Sequence, residues 1–144
     1  MTRANMLAHR FVDYIPESLD EATLYISVRF ATAVHACCCG CGVEIATPLS
    51  PTDWRITFDG ETVSLYPSIG NWSLPCRSHY WIERNRVRWA RAMSRGQIES
   101  EQAADRTAKD NYYGRKPAPD PLTVSPANTR WWPRFIRALR VRLH

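Results

Sequence analysis

Four of the five cysteines in this 144-residue chain fall within Cys37-Cys38-Cys39-Gly40-Cys41, and the fifth, Cys76, follows 35 residues after Cys41. Neighbours this close rarely offer the Cα separation and Cβ directions that a disulfide requires. The opening residues lack the apolar run of a signal peptide, and no stretch approaches the roughly 18 apolar residues of a membrane span. A cytoplasmic, reducing environment is therefore expected, and a metal site explains the thiols better than disulfides do.

Zinc takes thiolate and imidazole in a tetrahedral set of four, commonly from two short turns brought together by the fold. One turn would be Cys37 to Cys41, where Gly40 and Gly42 supply the permissive dihedrals of a tight knuckle. The other would be Cys76-x-x-His79. Soft ligands favour zinc over magnesium or calcium. Five cysteines and His79 compete for four positions, so spacing alone leaves Cys38 and His79 open. If four cysteines fill the shell, His79 is free for chemistry; if His79 is a ligand, the site is closed and structural. With three protein ligands a zinc-bound water would want a carboxylate base, for which Glu44 and Glu83 are the candidates. A saturated structural zinc is the expectation.

The remaining pattern is that of a mainly β protein. Leu24, Ile26, Val28 and Phe30 alternate with Thr23, Tyr25, Ser27 and Arg29, which predicts a half-buried strand over 23–30. Val43–Ala46 is short and strand-like. Trp54, Ile56 and Phe58 alternate before Asp59-Gly60, and Val63 and Leu65 after it, which predicts a hairpin with a type I′ turn. Tyr66 to Pro75 reads as an ordered loop whose Ile69, Trp72 and Leu74 pack back on the sheet. Strands follow at His79–Glu83 and Arg86–Ala90 around a tight turn at Arg84-Asn85. The fold class is a small antiparallel sheet with a zinc knuckle plus C-terminal helices, α+β overall. The segments are a zinc-stapled β-domain over 1–92, a helix over 93–113, a Pro-rich linker over 114–129 and a basic amphipathic helix over 130–144.

The net charge of +5 does not mark a basic domain, because all the excess comes from Arg130, Arg134, Arg137, Arg140 and Arg142. Trp132, Phe135, Ile136, Leu139 and Leu143 form an apolar stripe among these arginines, which fits a contact surface. A neutral body argues against nucleic acid as the main partner.

Several uncommon strings occur in order: Tyr25-Ile-Ser, His35-x-Cys37-x-Cys39-Gly40-Cys41-Gly42, Ser64-Leu-Tyr-Pro-Ser-Ile-Gly-Asn-Trp72, and Pro75-Cys-Arg-Ser-His-Tyr-Trp-Ile82. Together they resemble a bacterial family of small cysteine-rich zinc-site proteins associated with ubiquitination-like operons, over about Val12 to Asp110. The family knuckle reads Cys-Pro-Cys-Gly-Cys-Gly, so Cys38 stands where proline is usual. The resemblance implies Cys37, Cys39, Cys41 and Cys76 as metal ligands and Cys38 as a spare thiol. It also implies a deubiquitinase-like serine peptidase that trims or removes a ubiquitin-like protein. The partners would be that modifier, its conjugates, and the E1-like and E2-like enzymes of the operon.

Such a peptidase needs a hydroxyl nucleophile, an imidazole within hydrogen-bond reach and oxyanion donors. Ser68 is the candidate nucleophile and His79 the base. Asn71 and Gly70 are candidate oxyanion donors, and His35 is a second imidazole that would replace or assist His79. An extended substrate tail would lie beside the Pro67 to Pro75 loop by strand addition. The rival class is a non-enzymatic zinc adaptor or ligase-like module, which predicts His79 inside the metal shell.

Overall fold

The computed structural model describes residues 2–115. The basic helix expected over 130–144 and nearly all of the expected linker lie outside these residues. The chain runs β1 (Ala8–Phe11), β2 (Thr23–Ser27), β3 (Thr32–Ala36), β4 (Glu44–Pro48), β5 (Arg55–Phe58), β6 (Val63–Gly70), β7 (His79–Glu83), β8 (Arg86–Trp89) and α1 (Arg95–Arg115). The class is mainly β with a helix, but the strands form two four-stranded sheets rather than one, in the orders β1-β2-β3-β4 and β5-β6-β7-β8. Neighbouring strands pair antiparallel except β1 and β2, which are parallel.

One apolar cluster draws on both sheets: Leu24, Ile26, Ala33 and Ile45 from the first, and Val63, Leu65, Ile69, Tyr80, Ile82 and Val87 from the second. The N-terminal segment joins the second sheet at its edge, with Leu7 N donating to Asn85 O at 2.8 Å and Val87 N to Asn5 O at 3.0 Å. The chain then crosses into β1. Inside the cluster a polar link joins the sheets, from His35 Nε2 to the Tyr80 hydroxyl at 2.8 Å.

The first predicted strand is shorter than its sequence pattern. It stops at Ser27 because the chain turns sharply, with Ala31 N bonded to Val28 O and Ala31 at φ 46°. Val28 and Phe30 are therefore exposed. Both faces of β2 are buried instead of one, since residues 12–22 wrap the polar side: Tyr25 donates to the Asp20 carboxylate at 2.8 Å and Ser27 to the Asp13 carbonyl at 2.9 Å. It is β3, not β2, that leads into the cysteines. Neither β1 nor β3 is apparent from apolar alternation, because Ala and Thr dilute it.

The β5–β6 hairpin forms, but not with the expected two-residue turn. Phe58 pairs with Val63, leaving four residues between them. Asp59 organises that loop by accepting from the backbone amides of Glu61 at 3.0 Å and Thr62 at 2.6 Å, an Asx-type closure. The type I′ turn sits instead at Arg84-Asn85, where both residues have positive φ and Glu83 pairs with Arg86. Asn85 tolerates that conformation, and its side-chain oxygen also accepts from Val63 N at 2.8 Å.

Helix α1 begins with a capping box: Ser94 Oγ accepts from Gln97 N at 3.3 Å while Gln97 Oε1 accepts from Ser94 N at 2.9 Å. It extends through Gly114 and Arg115, which the sequence reading gave to the linker. It touches the body through buried Ile98, a Lys109–Asp53 ion pair at 2.9 Å and a Tyr113–Thr52 hydroxyl contact at 3.3 Å.

His35 makes the core sensitive to acid. Burial lowers its pKa from 6.5 to about 4, so it folds neutral. The unfolded chain binds its proton first, and the stabilisation present above pH 6.5 is lost as pH falls towards the folded value. A loss of roughly 3 kcal/mol between pH 6.5 and 4 is expected from this group. Denaturant titrations over that range should show it, with a flatter profile for His35→Gln.

Candidate active site

The register between β6 and β7 sets the site. Ile69 lies opposite Tyr80 and Gly70 opposite His79. Side chains alternate between faces along a strand, so Ile69 and Tyr80 enter the core while Ser68, Gly70, His79 and Trp81 share the outer face. Ser68 is then the diagonal neighbour of His79, within reach of a long side chain. The Ser68 Oγ to His79 Nε2 distance is 2.9 Å.

Two local features make room for this contact. Between Leu65, opposite Ile82, and Ile69, opposite Tyr80, β6 advances four residues while β7 advances two. The surplus carries Pro67 and Ser68, and a bulge is where a strand accepts proline, which has no amide to donate. Gly70 lacks a side chain beside His79, and a Cβ there would lie 2.5 Å from the Trp72 indole nitrogen. Trp72 can therefore close over Gly70 and meet the His79 ring edge-on at 4.8 Å, with Trp81 at 5.3 Å on the same face. The segment expected to be a loop from Tyr66 is thus a strand as far as Gly70.

His79 Nδ1 is buried and has no hydrogen-bond partner among the described residues. Burial holds the imidazole below its ordinary pKa, against the pull of the Glu101 carboxylate and of the Arg91 backbone, which both favour the charged form. Glu101 belongs to α1, which forms one wall of a groove of about 320 Å³. Ser68, His79, Trp54 and Trp72 contribute from the sheet side, and Glu101, Gln102 and Asp105 from the helix.

Beside this pair lies the knuckle. The sulfurs of Cys37, Cys39, Cys41 and Cys76 all fall within 4.8 Å of one another. Cys37 Sγ is 3.4 Å from Cys39 Sγ and 4.0 Å from Cys76 Sγ, against about 3.8 Å for the edge of a tetrahedral zinc–thiolate site. Gly40 and Gly42 adopt φ 87° and 76°, as a tight knuckle requires. The donor set fits a soft metal ion. Neither His79 nor Cys38 belongs to it: Cys38 turns into the apolar core, where burial pushes its thiol up to about 12.

Asn71 and His35 are engaged elsewhere. The Asn71 amide donates to Ser78 Oγ at 2.8 Å and approaches Cys37 Sγ at 3.8 Å. Ser78 Oγ in turn lies 3.2 Å from Cys37 Sγ. Asn71 thus serves the knuckle rather than the space beside Ser68, and His35 lies in the core on Tyr80, apart from the groove. Sequence reasoning missed Ser78 as a partner of the sulfurs and α1 as a wall of the groove. The first signal was there in Cys76-x-Ser78; the Ser94-x-x-Gln97 capping box located only the start of the second.

A metal-content assay tests the ligand set. Cys37→Ser and Cys76→Ser should each abolish stoichiometric metal binding, whereas Cys38→Ala should retain it.

Comparison with known proteins identifies a family. The family model described as bacterial ubiquitination-like system serine protease (BubE) matches residues 11–90, more than half of the chain and the part that carries Ser68, His79 and all five cysteines. No curated protein and no solved structure matches.

Proposed function

The chain belongs to the bacterial ubiquitination-like system serine protease family (BubE), and we propose that it trims or removes a ubiquitin-like modifier with Ser68 as nucleophile and His79 as general base. The observation that carries this reading is the 2.9 Å contact between Ser68 Oγ and His79 Nε2. An imidazole at that distance, kept neutral by burial, suits a base operating near neutral pH.

In the tautomer this requires, the proton sits on Nδ1 and Nε2 accepts. Ser68 Oγ attacks the scissile carbonyl carbon as its proton passes to Nε2. The C–N bond then breaks and His79 returns that proton to the leaving amine, leaving an ester on Ser68. Water, deprotonated by the same nitrogen, attacks the ester; the acid product departs and Ser68 recovers its proton. Trp72 and Trp81 pack against the ring, and the Arg91 backbone, which favours its charged form, is a polar group beside it where a triad would use a third side chain. The substrate tail would lie in the groove beneath α1. Strand addition beside Ser68 is compatible with this sheet, because the pairing of β6 with β5 ends at Tyr66 and only β7 lies along Ile69 and Gly70.

Zinc is the metal we assign to the four cysteines. Its contribution is structural: it ties Cys37–Cys41 to Cys76, three residues before His79, and so steadies the entry to β7. Four sulfurs converge without His79, whereas the adaptor reading required His79 in the shell; this favours the peptidase.

With a C-terminally extended ubiquitin-like protein as substrate, Ser68→Ala should lower kcat/KM by on the order of 10³-fold or more while metal content and thermal melting stay unchanged. Undiminished cleavage would remove Ser68 from the mechanism. The acidic limb of the kcat/KM profile should titrate below the ordinary histidine value. In Glu101→Gln it should move lower still, since a neighbouring negative charge favours the protonated ring.

A further inference from the structure

His79 and Trp72 separate two concavities of opposite character. On the Ser68 side the groove bears Asp53, Glu101 and Asp105 with a single cation, Lys109, which is paired to both aspartates at 2.9 and 3.0 Å. On the other side lies a pocket of about 380 Å³ bordered by Arg3, Arg77, Arg91 and Trp89, next to Cys39 and Cys76. No carboxylate lines this second pocket, and none of its three arginines forms an ion pair among the described residues.

Resting on the peptidase reading above, we propose that this pocket binds a carboxylate of the substrate, borne by an acidic side chain or by the free C-terminus of the segment flanking the scissile bond.

Three features beyond net charge support it. The Arg3 guanidinium lies 4.7 Å from the centroid of the Trp89 ring, an arrangement that orients it without an anion. The Trp89 indole N–H is buried and has no acceptor among the described residues. Arg77 adopts φ 44° between Cys76 and Ser78, an unfavourable conformation for a bulky residue that persists where the surroundings impose it. The pocket thus presents donors and positive charge, the complement of a carboxylate. Four thiolates on a divalent ion carry a net charge of −2, which three arginines exceed, so cationic capacity is left for a ligand. Since His79 lines both concavities, a peptide with its scissile carbonyl at Ser68 has one flank within reach of these arginines.

The test separates binding from turnover. Metal-loaded, full-length Ser68→Ala is titrated with a ubiquitin-like protein whose C-terminal extension is varied: aspartates with an amidated end, neutral residues with an amidated end, and neutral residues with a free carboxylate. At least one carboxylate-bearing form should bind about tenfold more tightly than the neutral amidated form, and which one does so identifies the source of the carboxylate. Adding Arg3→Glu and Arg91→Glu should abolish the difference at unchanged metal content, and Arg91→Gln alone should reduce it. Equal affinity for all three forms overturns the inference, as does loss of metal in the arginine variants, which would mean the arginines serve the thiolates. Cleavage by the unmodified chain is measured in parallel: its absence refutes the peptidase reading, and carboxylate-independent binding refutes only the pocket.

Discussion

The pairing of Gly70 with His79 is the constraint from which the site follows. A shift of one residue between β6 and β7 would send Ser68 to the core face and bring Ile69 out, since strand side chains alternate. What opposes such a slip is the core itself: Val63, Leu65, Ile69, Tyr80 and Ile82 are nearly inaccessible to solvent, and a one-residue shift would bring apolar members of this set out to water. The Ser68–His79 contact is thus held by hydrophobic packing on the opposite face of the same two strands. The surplus residues in β6 are the one irregularity, and they lie where Ser68 must be presented.

The cysteine knuckle secures the entry to that arrangement. Asn71 immediately follows β6, Ser78 immediately precedes β7, and both side chains converge on Cys37 Sγ. The backbone repeats the connection, with Asn71 N bonded to Ser78 O at 2.9 Å. Residues 71–78 are therefore closed at their base by strand-like pairing and held at the side by the sulfurs. The cysteine cluster and the Ser68–His79 pair share this short segment without sharing a residue, because Asn71 and Ser78 face the thiols while Gly70 and His79 face the groove.

Much of this was legible in the chain. Cysteine spacing, Gly40 and Gly42 pointed to the knuckle, alternation recovered β5 and the start of β6, and the turn at Arg84-Asn85 marked β7 and β8. The separation of Cys38 from the other thiols came only with the family pattern, since five neighbouring sulfurs look alike in sequence. Less accessible was whatever depends on distant pairing. β1 lies along β2 because residues 12–22 cross over, and Ala8–Phe11 carries no local sign of it. Pro67 argued for a loop by its missing amide, yet a bulge inside a strand accommodates it equally well. Asn71 has the chemistry of an oxyanion donor, but its direction is set by Ser78, which spacing does not reveal.

His79 stands between opposing influences, and their balance fits a base better than a permanent cation. Burial against Trp72 and Trp81 disfavours the charged ring, and no carboxylate bonds to Nδ1 to stabilise it. Glu101 acts in the other direction, from α1. This helix lies beyond the family match, which ends at residue 90, and it meets the body through Ile98, Lys109 and Tyr113. The ring's tendency to accept a proton therefore depends in part on a helix held by few contacts. Displacing α1 to admit a substrate would remove the Glu101 carboxylate from the imidazole while the substrate replaced water over it. Both changes lower the proton affinity of His79 and favour the neutral form that can take the proton of Ser68.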